Sequence, residues 1–81
     1  MDKRIAVVSI IIYDRQEAET VNKILHEYAS YIIGRMGLPY AEKGVSIICV
    51  VMDAPTSITS ALSGKLGMLT GVTAKTNTAK I

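Results

Sequence analysis

The chain has no tryptophan, no phenylalanine, one histidine, one cysteine and two prolines among its 81 residues. Its only aromatics are Tyr13, Tyr28, Tyr31 and Tyr40, so the core must be aliphatic, built from Ile, Val, Leu and Met. A sheet that reads RNA stacks bases on aromatic side chains, and the apolar run Val45–Met52 has none. Cys49 is alone, so no internal disulfide forms, and a reducing cytoplasm is the expected location. One His and one Cys do not assemble a Ser-His-Asp or Cys-His catalytic set. They also fall short of the three or four ligands of a stable transition-metal site, and the paired cysteines of a copper chaperone are absent. Neither catalytic residues, nor a metal, nor a cofactor is therefore expected.

Strong charge is also missing. The formal net charge is +2 and the nine Lys and Arg are scattered along the chain. Nucleic-acid binding usually shows a clustered basic face, so no direct nucleic-acid partner is expected. No apolar run approaches the roughly 20 residues of a membrane span, so no membrane association is expected. Lys3 and Arg4 before Ile5–Ile12 faintly resemble a signal peptide. The run ends at Tyr13-Asp14 without a small-residue cleavage site, so it is assigned as a strand.

What the chain does have is apolar character. Hydrophobic residues make up 49% and charged residues 20%, which excludes disorder and favours a dense core or a buried interface. One domain over residues 1–81 is expected. A domain this small buries only roughly 60–65% of its unfolded surface and is marginal alone.

Arg4–Ile12 is almost continuous Ile, Val and Ala, the pattern of a strand buried on both faces. Asp14, with Glu17 three residues on, marks a helix start. Ala18, Val21, Leu25 and Tyr28, with Ile24 beside them, recur at helical spacing and predict a helix from about Arg15 to Ala29. Glu19, Lys23, His26 and Glu27 fill its opposite face. Tyr31–Leu38 is a second strand, Tyr40–Gly44 a polar turn and Val45–Met52 a third strand. Asp53–Ser57 breaks the chain and starts a second helix. Pro55 falls in its first turn, Thr56 or Ser57 caps it, and Ile58, Ala61, Leu62 and Leu66 form its apolar stripe. Gly64 is expected to permit close packing, and Gly67 to end the helix. Val72–Lys80 alternates like an edge strand with one wet face.

The order is βαββαβ, an α+β, ferredoxin-like sandwich: a four-stranded antiparallel sheet with two helices on one face. In that layout the two most apolar strands, the first and third, are the central pair. Two helices cover one face only, yet both faces of these strands are apolar. Ile5, Val7 and Ile11 oppose Val8, Ile10 and Ile12, and Val45, Ile47 and Val51 oppose Ile48, Val50 and Met52. A patch of that kind is rare on a monomer, so a homo-oligomer, dimer or tetramer, is expected.

The stretch Tyr31-Ile-Ile-Gly-Arg-Met-Gly-Leu-Pro-Tyr40 carries the candidate site. Pro39 cannot donate to a ladder and marks a strand end or sheet edge. Arg35 lies between Gly34 and Gly37, with room to reach a ligand or a second chain. Its guanidinium fork suits a small anionic ligand, a carboxylate or phosphate. The structural alternative is an edge-strand arginine paired with a neighbour's carboxylate or blocking stray strand pairing. Ser63-Gly-Lys-Leu-Gly67 is not a phosphate loop, because it lacks an earlier glycine at four-residue spacing and a Ser or Thr after the lysine. Arg15 with Asn77 does not make an acylphosphatase motif, and Cys49 fits a core thiol.

Arg4–Ile10, His26–Tyr28, Tyr31–Tyr40, Leu62–Gly67 and Gly71-Val72 together resemble the small ACT-like proteins named as regulators of the iron-only hydrogenase system. The resemblance runs over nearly the whole chain. It implies a single ACT-like domain, a fold similar to the C-terminal domain of nickel-responsive repressors, and homo-oligomers; with no catalytic set in the sequence, the leading function is a non-enzymatic regulatory module linked to the iron-only hydrogenase system. It also makes the turn at Tyr13 and Asp14 a ligand candidate, since ACT-like domains tend to bind effectors there. A regulatory protein partner is the other implied occupant. The several histidines of the nickel-responsive domains are absent, so the nickel site is not carried over; a sensor built on paired copies of His26 or Cys49 is a weaker class. No ribbon-helix-helix or helix-turn-helix segment is present to read DNA. An assembly domain without a ligand is the alternative function.

Overall fold

A computed structural model describes residues 2–81. The elements are β1 (Lys3–Ile12), α1 (Ala18–Glu27), β2 (Ile32–Tyr40), β3 (Val45–Pro55), α2 (Thr56–Gly67) and β4 (Val72–Thr78), joined partly through short 3-10 turns. The strands form one antiparallel sheet in the order β2-β3-β1-β4, the ferredoxin-like βαββαβ arrangement. The β-branched runs do occupy the centre. Val7 faces Val51 and Ile10 faces Ile48 across the β1–β3 pair.

Side chains alternate across a strand, so every second residue of the central pair points at the helices. Val8, Ile10, Val50 and Met52 have no exposure at all. Val21 and Leu25 of α1 and Leu62 and Leu66 of α2 close over them. Full burial of one such side chain contributes about 1.5–3 kcal/mol, which makes this layer the main source of stability. Lys65 ties the helices together, with Nζ 3.1 Å from Glu27 Oε1 and 5.1 Å from the Tyr28 ring centre. The bond to Glu27, and then Tyr28, holds the Lys65 ammonium above its ordinary 10.5. A raised cation stabilises at all pH below 10.5 and stops doing so as pH climbs past the folded value. Both partners are exposed, so solvent screening keeps the contribution small.

The ends of the elements differ from expectation for local reasons. Asp14 Oδ1 accepts from the Gln16 amide at 3.0 Å and the Glu17 amide donates to the Asp14 carbonyl at 2.9 Å, so a tight turn precedes α1. Another turn at Ala29–Tyr31 takes Tyr31 out of β2. β2 continues past Leu38 through Pro39, which an edge strand tolerates because its outward side needs no donor. β3 extends to Pro55, paired with Lys3, and Pro55 itself is the cap of α2. Thr56 and Ser57 lie inside that helix and give it no side-chain cap. Thr59, 4% exposed, takes the buried place expected for Ala61, which is exposed. A Cβ on Gly64 would meet nothing within 4 Å, so that glycine does not serve close packing. β4 stops at Thr78.

Among the described residues, no helix covers the second face of the sheet. Ile5, Val7 and Ile11 of β1 lie there with Ile47, Cys49 and Val51 of β3, all half-buried by their own neighbours. Met36 and Leu38 of β2 extend the patch and are 63% and 52% exposed. The charges on this face, Lys3, Asp53 and Lys75, lie at one end and on the β4 side.

Candidate functional site

β2 is the sheet edge that the sequence implied, and Arg35 turns to its helix side, in register with Val50. The guanidinium donates from Nη2 to Asn22 Oδ1 of α1 at 2.8 Å. Asn22 in turn donates from Nδ2 to the Ala18 carbonyl at 3.0 Å, which fixes the amide orientation. The sequence could not show this tie, because the two residues come together only when β2 and α1 pack. Between them lies a shallow pocket of about 250 Å³, lined by Asn22, Arg35, Gly37, Pro39 and Ser46 among others. It exists because the strand offers glycine and proline where a larger side chain would fill the gap. A Cβ at Gly34 or Gly37 would meet nothing within 4 Å. Gly37 belongs to the pocket. Gly34, in register with Val51, faces the uncovered side of the sheet.

The second half of the expected site lies elsewhere. Tyr13 is 53% exposed, and its hydroxyl is 3.5 Å from Thr73 Oγ1 of β4. The Tyr13 and Asp14 amides both donate to the Gly71 carbonyl, at 2.7 and 3.3 Å. Gly71 has φ +76, and a Cβ there would fall 2.6 Å from the Asp14 Cβ. The turn is thus closed by the loop that leads into β4, and its amides are already paired. Among the described residues, no hydrogen bond or ion pair links Tyr13 or Asp14 to Arg35.

Cys49 is not a core thiol. It sits in the middle of the uncovered face, between Ser9 and Met36. His26 is exposed on α1. Among the described residues, no three His, Cys, Asp or Glu side chains group to hold a metal ion. No helix among them is long and apolar enough to cross a membrane.

A larger concavity, about 560 Å³, opens between α2 and β4. Its signal in the sequence is the recurrence of Thr56, Thr59, Ser60 and Ser63 at helical spacing on one face, a pattern that the candidate site residues do not include.

A family model described as "TM1266-like: Iron-only hydrogenase system regulator, putative" matches residues 4–76. The chain belongs to this family. The match takes in every strand and helix except the start of β1 and the end of β4. The fold is likewise similar to a solved structure from the family's namesake, TM1266 of Thermotoga maritima, described as an uncharacterized protein. The two chains are 38% identical, and the similarity covers 98% of this chain and 100% of the other with a TM-score of 0.92. No curated protein matches the chain.

Proposed function

We propose that this family member is a non-enzymatic, cytoplasmic regulatory module, a single ACT-like domain over residues 1–81 that works as a homo-oligomer and responds to a small anionic ligand or a regulatory protein partner. The observation that carries this is the uncovered sheet face. Ile5, Val7, Ile11, Ile47 and Val51 spend β-branched side chains on a surface that two helices cannot reach. A contiguous apolar patch of this kind marks an interaction surface. A second copy is the simplest occupant, because the charges of the face stand at its margins and leave its centre free for like-with-like packing. Native mass spectrometry of protein purified gently from its source tests the proposal. A dimer or tetramer carrying a retained small molecule or a protein partner supports it, and a bare monomer contradicts it. One observation favours assembly without a ligand instead: the two halves of the expected binding site are not joined, and the turn amides are already paired.

Arg35 distinguishes the two. If it grips an anion, Arg35→Lys weakens binding of that anion, since lysine lacks the planar fork. If it serves assembly alone, Arg35→Ala shifts the oligomer equilibrium and leaves ligand affinity intact. Changes under about 0.5 kcal/mol in both, read by titration and sedimentation, would leave only the tie to Asn22.

Cys49 reports on the same face. Its labelling by a thiol reagent is expected to slow as protein concentration rises, because the thiol becomes covered in the oligomer. A rate independent of concentration across the assembly range would remove the face from the interface.

A further inference from the structure

The groove between α2 and β4 has a chemistry that the apolar sheet face and the Arg35 pocket lack. Its volume, about 560 Å³, falls in the range of roughly 300–1,000 Å³ typical of small-molecule sites. One wall is the hydroxyl face of α2, made by Thr56, Thr59, Ser60 and Ser63. The other is β4, where Thr76 and Thr78 point to the helix side in register with Val8 and Ala6. Gly64 also lines the groove, and it has no side chain to fill it. The cations Arg4 of β1 and Lys80, just past β4, also line it.

Three features separate this groove from an ordinary polar surface. Thr59 is 4% exposed, yet its hydroxyl makes no hydrogen bond among the described residues. No side-chain oxygen among them is sealed away without a partner, so the Thr59 hydroxyl opens onto the groove. Arg4 and Lys80 likewise have no carboxylate and no hydrogen-bond acceptor among the described residues. The lining, finally, contains no Asp or Glu, no aromatic and no large apolar side chain among the described residues. A base or other flat ring would find nothing to stack on, and a cation would find no counter-charge. An anion with a polar body would find two cations for its charge and a row of hydroxyls for the rest.

We propose that the groove binds a small, non-aromatic phosphorylated molecule, with its phosphate held by Arg4 and Lys80 and its hydroxyl groups met by Thr59, Ser60 and Ser63. Guanidinium and ammonium are the usual protein partners of phosphate, the first in bidentate fashion. The site is separate from the sheet face, so ligand binding and assembly are separable properties.

Isothermal titration of the full chain with glucose 6-phosphate and with inorganic pyrophosphate tests this. At least one of the two is expected to bind, and unphosphorylated glucose is not. Arg4→Gln and Lys80→Gln are each expected to weaken binding about tenfold. Thr59→Val should weaken it several-fold with the far-ultraviolet circular dichroism unchanged. Lys75→Gln, which removes the same charge from the opposite face of the sheet, should leave it intact. Absence of heat with both phosphorylated probes up to about 10 mM, a concentration that detects even millimolar affinity, overturns the proposal. Equal losses in Lys75→Gln and Lys80→Gln would overturn it too, by reducing the effect to net charge. Light scattering on the Arg4→Gln, Lys80→Gln and Thr59→Val samples should show copy number unchanged, so a failure here is distinct from a failure of the assembly proposal.

Discussion

Val51→Glu is expected to leave the protomer folded and abolish self-association. Val51 lies on the uncovered face of β3, between Val7 and Gly34 in the sheet. In a free protomer the new carboxylate reaches water, so folding loses only side-chain packing on the sheet surface, within the ~1 kcal/mol span of strand preferences. In an assembly built on this face, the same carboxylate is pressed against Ile and Val of a second copy with no cation beside it. An unpaired buried charge costs several kcal/mol, and a symmetric dimer incurs it twice. Weakening by at least about 4 kcal/mol lowers the association constant roughly a thousandfold, enough to empty a micromolar dimer. Val50→Glu is the matched contrast. Val50 is its chain neighbour but has no exposure and faces the helices, so this change should prevent folding altogether. Sedimentation velocity and circular dichroism separate the two outcomes. A Val51→Glu protein that keeps the native oligomer size would place the interface elsewhere.

Gly71→Ala is expected to destabilise the fold by about 2–4 kcal/mol, a large share of the roughly 5–15 kcal/mol typical of a small domain. Two effects combine. The backbone at Gly71 has φ +76, which costs a residue with a Cβ about 1 kcal/mol or more. The added methyl would also stand 2.6 Å from the Asp14 Cβ, too close for contact. The α2–β4 loop must then move away from the β1–α1 turn, and the 2.7 Å bond from the Tyr13 amide to the Gly71 carbonyl weakens with it. Gly44→Ala isolates the first effect, since Gly44 has φ +63 but open space around it. It should cost only about 1 kcal/mol. At roughly 4–8 °C per kcal/mol for a domain of this size, thermal unfolding resolves the two variants easily when run at one protein concentration. Equal losses at Gly71 and Gly44 would show that the contact with Asp14 carries no weight.

Much of the fold was legible because it rests on local pattern. The β-branched runs that became β1 and β3 announce central strands, and Val72 to Asn77 announces an edge by alternation. Val21 and Leu25 fall where helical spacing puts them. The uncovered face was legible for the same reason: period two in a strand assigns Ile5, Val7 and Ile11 to one side from the sequence alone. Features that depend on two distant segments were not legible. Asn22 holds Arg35 only because β2 lies beside α1, and Gly71 is required only because Asp14 arrives opposite it. Thr59 rather than Ala61 is buried because the helix rotation is set by packing on the sheet, where a threonine methyl serves as well as an alanine. The hydroxyl groove is not legible in the sequence, because its α2 face and its β4 face are each ordinary until the fold apposes them.

The proposed oligomer joins copies of this chain through the uncovered sheet face. Light scattering of the unmodified protein across a micromolar dilution series measures this most directly. The mass of a dimer or tetramer is expected, falling toward that of one chain only on dilution. A protein that stays dispersed at the mass of one 81-residue chain throughout the series would contradict it.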